Sequence, residues 1–234
     1  MSKKVRATVV VAVFLLAAMW FFFPVGRPDE ESLLFAMRLA LPAFILALGG
    51  IGLISWRMMI GFLCCAIGDV MGVSGIFEGQ MTAFALAHIY FIFYFIRSIR
   101  RSKPKPAVFV VTTLFCLVPL VFAVVSVIPA VQEVPIRVGC SVYALLLTGT
   151  LWTAIVRAFS GRNSKRVLPY IAALGALLFL VSDFILSWNK FVEHIPDASL
   201  CIMVPYYAAL LLLFIGTLRL HRHAYRSRRA QRTR

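Results

Sequence analysis

Eight separate stretches of this chain are long enough and apolar enough to cross a bilayer, and that limits what it can fold into. They fall at about 7–24, 33–51, 58–74, 81–97, 107–128, 136–156, 167–187 and 198–218. A helix needs roughly 20 apolar residues to span a hydrocarbon core about 30 Å thick. Backbone groups in lipid must be hydrogen-bonded within their own segment, so each run is expected to be a helix. The alternating pattern of a membrane barrel is absent. The expectation is an all-α integral membrane protein with eight transmembrane helices, a single membrane domain over 1–234. Composition agrees: 62% of the 234 residues are hydrophobic and 14% charged, against about 25% charged in ordinary soluble domains. The basic opening MSKKVR reads as the lead-in to a retained first helix, because no A-x-A cleavage site follows the apolar run.

Charge placement sets the expected orientation. With the N-terminus in the cytoplasm, the inner segments carry 20 of the 24 lysines and arginines. That is the bias expected of cytoplasmic loops. None of the nine acids lies in an inner segment; seven are in outer loops, and Asp69 and Asp183 are in helices. Both termini are therefore expected in the cytoplasm, and the location is expected to be a bacterial plasma (inner) membrane. The basic stretch 219–234 reads as a solvated cytoplasmic tail and orientation signal, with membrane lipids rather than nucleic acid as neighbours. Five cysteines, at 64, 65, 116, 140 and 201, show neither a disulfide framework nor zinc spacing.

The stretch GDVMGVSGIFEGQMTAFALAHIYFIFYF, residues 68–95, holds a carboxyl and an imidazole inside apolar runs. At 1.5 Å rise per residue, Asp69 and Asp183 lie roughly 7–8 Å below the outer boundary, and His88 and Arg38 about 10 Å below it. An ionisable group within a span costs about 2.5–3.5 kcal/mol on insertion scales. Four such groups at one depth point to a shared polar pocket. On the third helix, Gly61, Cys65, Gly68, Asp69 and Gly72 share a face, so Asp69 is expected to look into protein rather than lipid.

Gly61, Asp69 and Phe77 are spaced by eight, as are Gly175, Asp183 and Phe191, at an offset of 114 residues. This spacing allows a parallel repeat of two four-helix halves, 1–105 and 106–220, each bringing one aspartate to a central cleft. Composition and spacing alone stop at a polar pocket in an eight-helix membrane protein.

The two blocks around the aspartates carry a resemblance. IGDVMGVSGIFEGQMTAFALAHIYFIFYF resembles the GD…F..G…F..aH..Y signature of the YhhN-like lysoplasmalogenase family. ALGALLFLVSDFILSWNKF resembles its second signature, an SD run ending in KF, and VPYYAALLLL resembles its last helix. The resemblance implies an eight-helix membrane hydrolase that cleaves the vinyl ether bond of lysoplasmalogens. The products would be a fatty aldehyde and glycerophosphoethanolamine or glycerophosphocholine. It makes Asp69 and Asp183 the candidate catalytic pair, and matches His88 and Tyr90 to the aH..Y positions. The chain departs from the family pattern in two places. Cys65 stands where a serine is usual, and Arg38 stands four residues before Pro42 where a lysine commonly sits just before a proline.

Vinyl ether hydrolysis begins with protonation of the β-carbon and passes through an oxocarbenium ion. Paired carboxylates serve the same kind of transition state in glycosidases. Two aspartates in different surroundings divide into acid and base, and the carboxyl nearer Arg38 is expected to be the ionised one. His88 is expected to orient water or relay a proton. Candidate substrate-binding residues are Arg38, Tyr90, Glu78, Asn189, Lys190 and Tyr206, with the lipid chain among Phe84, Phe91 and Phe179. No cofactor or metal is expected: His221 and His223 belong to the tail and His194 to an outer loop. A G-x-S-x-G elbow is absent. The competing reading is a proton-coupled transporter. It expects matching helix breaks in both halves, but Pro42 and Pro205 do not correspond under the offset.

Overall fold

The computed structural model describes residues 1–23, 33–100, 104–161 and 166–219. Among the described residues the regular structure is eight α-helices and one 3-10 turn, Ile128–Ala130, with no strand. The helices are α1 Lys3–Phe22, α2 Leu33–Gly49, α3 Trp56–Val73, α4 Phe77–Ile99, α5 Pro106–Ser126, α6 Val134–Ala158, α7 Val167–Phe191 and α8 Ala198–Thr217. Seven of them are long and apolar enough to cross a membrane, and α2 is an apolar helix of 17 residues. Arg27, Asp29, Glu30 and Glu31, and the stretch from residue 220 with His221 and His223, lie outside the described residues.

Several helices run past the apolar stretches that announce them. Helix α4 opens with Glu78 in its first turn and closes with Arg97 in its last. Each charge sits at the end of the helix dipole it complements. Helix α7 continues through Lys190 to Phe191. Hydrogen bonding along the backbone carries a helix on into the interfacial region, where a charged side chain reaches water.

The outer surface is apolar. On α5 only Thr112 and Cys116 are buried, while Val110, Leu114, Val118 and Val125 are exposed. Lipid tails are as apolar as these side chains, so the bundle is held by close packing and hydrogen bonds rather than by flight from water. Helix α3 packs on α4 through its glycine face. Side chains of Phe91, Phe84 and Gln80 occupy the space a Cβ would take at Gly61, Gly68 and Gly72, respectively. Helices α7 and α8 approach backbone to backbone at Gly175 and Gly216.

Helices adjacent in sequence pack on one another except α4 and α5: α4 packs on α6 instead. Helix α5 lies to one side, backed by α6. Short loops impose this succession on any up-and-down bundle, so it does not establish the repeat of two halves. At the offset of 114 residues, Phe77 and Phe191 do meet edge to face, 5.5 Å apart. The two aspartates acquire different partners.

Candidate active site

A tight α3–α4 link brings the first aspartate and the histidine together. Helix α3 ends at Ser74, followed by Gly75 at φ +72°. Ile76 N–H donates to the Met71 carbonyl at 3.0 Å and Gly75 N–H to the Gly72 carbonyl at 3.2 Å. This is the Schellman pattern, which needs a left-handed residue and favours glycine there. The chain reverses within three residues, so α4 runs back beside α3 and delivers His88 into the layer that holds Asp69.

His88 is fully buried, and Asp69 and Asp183 are about 95% buried. Asp183 of α7 faces α4 and α6. Tyr143 of α6 donates its hydroxyl to Asp183 Oδ2. His88 Nε2 lies 3.4 Å from the Tyr143 oxygen and 3.9 Å from Asp183 Oδ2. On its other side His88 Nδ1 is 3.0 Å from Thr150 Oγ1, which is itself 3.1 Å from the Leu146 carbonyl. A hydroxyl donating to that carbonyl must accept from Nδ1–H. Two tautomers satisfy this network: Nδ1–H donating to Thr150, which leaves Nε2 basic, or Thr150 donating to Nδ1, which leaves Nε2–H facing the Tyr143 oxygen. Nε2, the Tyr143 oxygen and Asp183 Oδ2 thus form a cluster with room for one proton more or less, the property general acid–base chemistry requires.

Asp69 has a separate partner. Tyr206 of α8 donates to its Oδ2 at 2.9 Å. Phe179 bridges the two clusters, with ring centroids 4.8 Å from His88 and 5.4 Å from Tyr206. Replacing Tyr206 by Phe strands the buried Asp69 oxygen, at an expected cost of about 1–3 kcal/mol. Thermal unfolding in detergent reads this loss, and an unchanged midpoint would count against the bond as a brace between α3 and α8.

A cleft opens between α4, α5, α6 and α7, about 810 Å³ when the space at its open mouth is included. Asp183 and Tyr143 stand in its wall, with Phe84, Leu147 and Leu180 on the apolar side and Lys190 among its lining. Asp69 does not line it. Helix α5 meets α7 at aromatic rings, Phe122 lying 5.3 Å from Phe184 and 6.3 Å from Trp188.

The other expected site residues are scattered. Arg38 is about 95% buried, but its guanidinium lies 4.5 Å over the Trp20 ring, and its Nε and Nη1 have no hydrogen-bond partner among the described residues. Among the described residues it pairs with neither aspartate. The expectation that Arg38 decides which carboxyl ionises therefore gives way: a cation–π contact with α1 holds the guanidinium. Tyr90 packs edge-on against Trp56, 6.2 Å away, off the cavity. Glu78 is exposed at the start of α4. Asn189 Oδ1 accepts from Ile195 N–H at 2.8 Å and so shapes the loop after α7. Phe91 fills the space beside Gly61 and packs on Phe62 at 5.5 Å. Tyr143 and Thr150 are the residues that sequence reasoning missed. They lie seven apart on α6, with Leu147 between them on the same buried face, a helical spacing that was there to be read.

Fold and site together define a multi-pass α-helical membrane protein with a carboxylate–imidazole cluster buried among its helices. The chain belongs to the YhhN family, whose model matches residues 32–217. It is similar to the mouse (Mus musculus) lysoplasmalogenase TMEM86B, 30% identical over 216 residues, 89% of this chain and 86% of that protein. The rat (Rattus norvegicus) lysoplasmalogenase TMEM86B is 31% identical, covering 93% of this chain and 85% of its own. For the human (Homo sapiens) lysoplasmalogenase TMEM86B the identity is 28%, over 85% of this chain and 82% of that protein. No solved structure matches.

Proposed function

We propose that this protein is a lysoplasmalogenase-like membrane hydrolase. It opens the vinyl ether bond of a lysophospholipid to give a fatty aldehyde and a glycerophospho-alcohol. The observation that carries this reading is a carboxyl set in the wall of an apolar cavity, with Tyr143 and His88 on one of its oxygens. The identity to curated lysoplasmalogenases over most of the chain supports it. Helix α5 packs on α6 and not on α4, and the cleft between α4 and α5 gives an alkenyl chain a lateral way in from lipid.

In this reading Asp183 is the proton donor. Oδ2 is held by Tyr143, which leaves Oδ1 to carry the proton toward the β-carbon of the vinyl ether. Protonation gives an oxocarbenium ion, which the new carboxylate stabilises electrostatically. Water attacks that cation and gives its proton to the Tyr143 hydroxyl in the cavity wall, which passes its own to His88 Nε2 behind it. The resulting hemiacetal collapses to aldehyde and alcohol, and the proton returns to the Asp183 cluster. One water is consumed and nothing is oxidised or reduced. Asp69 lies outside the cavity under Tyr206, where its field and its bond steady the site.

The test is aldehyde release from lysoplasmenylethanolamine by the purified protein in detergent. Protonation by a carboxylic acid needs no Lewis acid, so EDTA is expected to leave the rate unchanged. A well-folded wild type that releases no aldehyde would overturn the proposal. Filling the cavity offers a second check. Ala144→Trp on its α6 wall is expected to lower kcat/KM on the order of 10²-fold by misplacing the alkenyl chain. An unchanged kcat/KM would mean the substrate does not enter there.

The same reading puts both termini on the cytoplasmic side and the site in the outer half of the membrane. Reporter fusions at the two ends test this, and a signal from a reporter active only outside the cytoplasm would reverse the orientation.

A further inference from the structure

Lys190 lines the cavity that holds Asp183 and follows it on α7 by seven residues. Seven residues are nearly two helical turns, so both side chains leave the same face, about 10 Å apart along the axis. The Lys190 ammonium lies 4.3 Å from the Phe77 ring centroid and 5.9 Å from that of Phe191. Among the described residues it has no carboxylate partner. Two rings that meet edge to face at 5.5 Å thus fix the position of an unpaired cation. Cation–π contacts position such a charge without neutralising it.

In a lysoplasmalogen, seven bonds separate the phosphorus from the β-carbon of the vinyl ether. At about 1.5 Å per bond and zigzag geometry, an extended backbone spans roughly 9 Å between them. That length is of the same order as the rise of about 10 Å between the backbone positions of Asp183 and Lys190 on α7. We infer that Lys190 is a specificity-determining residue: its ammonium holds the substrate phosphate and so sets the vinyl β-carbon beside Asp183. The inference rests on the hydrolase reading and adds the feature of the substrate that is recognised, a phosphate monoanion about 9 Å from the reacting carbon. A single-chain lipid without the phosphate then lacks the anchor that fixes its depth. A charge-assisted hydrogen bond from lysine to phosphate supplies that anchor.

Binding tests this apart from catalysis. The probes are saturated ethers with no vinyl group, 1-O-hexadecyl-glycerophosphoethanolamine and 1-O-hexadecylglycerol. Their Kd values are measured on the full chain in detergent, with wild type, Lys190→Ala and Lys190→Arg. The wild type is expected to prefer the phosphorylated ether by about tenfold or more. Lys190→Ala should collapse that preference toward unity, and Lys190→Arg should keep most of it. Equal preference in wild type and Lys190→Ala would overturn the inference. Displacement of the phosphorylated ether by millimolar inorganic phosphate would overturn the assignment to a lipid head group. Aldehyde release from lysoplasmenylethanolamine is scored separately, so failure of the chemistry and failure of phosphate recognition give different results.

Discussion

Asp183→Asn is expected to lower kcat by two to four orders of magnitude while the protein stays folded. General acid catalysis typically contributes about 10²–10⁴-fold, and an amide cannot supply the proton. Folding should survive because Asn keeps an acceptor oxygen for the Tyr143 hydroxyl and nearly the same volume. The contrast with Asp69→Asn separates the roles of the two aspartates. Asp69 does not line the cavity, and Asn would still accept from Tyr206. Its kcat loss should therefore be smaller than that of Asp183→Asn. The comparison requires aldehyde release by both variants at matched amounts of monodisperse protein. Near-normal kcat in Asp183→Asn would remove this residue as the acid. Equal loss in both variants would mean the two carboxyls act as one unit.

How much of this was legible in the sequence depended on what each residue does. Span-length apolar runs gave the eight helices, because lipid leaves the backbone little alternative to a helix. The glycine face of α3 was readable for the same reason that it packs: small residues at helical spacing admit a neighbour. Asp69, His88 and Asp183 stood out because ionisable groups are rare in apolar runs. Tyr143 did not stand out, since a tyrosine in a membrane helix is ordinary, and what matters is that α6 turns it toward α7. Arg38 misled for the opposite reason. Depth placed it level with the aspartates, but depth says nothing about azimuth, and α2 turns the guanidinium onto Trp20 of α1. Arg157, a basic residue at the end of α6, is about 93% buried, with its guanidinium 5.3 Å from the Tyr94 ring and 5.5 Å from the Phe95 ring and one bond to the Gly216 carbonyl. A hydropathy profile reports depth; the identity of the facing helix is a tertiary fact.

The largest stability effect is expected at the α7–α8 contact, from Gly216→Val. A Cβ at Gly216 would lie 2.4 Å from the Ala172 backbone nitrogen and 2.7 Å from its Cα. At Gly175 it would meet the backbone of Leu213 and Ala209 at 2.8 and 2.9 Å. A side chain can swing aside, but a helix backbone moves only as a body. Relief therefore requires α8 to slide from α7. That motion would break the Ser182 bond to the Ile202 carbonyl, 2.9 Å, and pull Tyr206 from Asp69. Overpacking alone costs about 1–3 kcal/mol, and loss of those bonds adds to it. Gly149→Ala is the matched control, since a Cβ there meets only the far end of Ile92 at 3.3 Å. Melting in detergent, followed by size-exclusion of the heated sample, should show Gly216→Val far below wild type and Gly149→Ala close to it. If Gly216→Val melts with the wild type, α7 and α8 are not locked by backbone contact. Conversely, a variant that stays folded but loses activity would show that the lock matters to the site rather than to the bundle. Tyr206 makes that coupling physical, because the helix that Gly216 seats against α7 is the helix that carries the hydroxyl to Asp69.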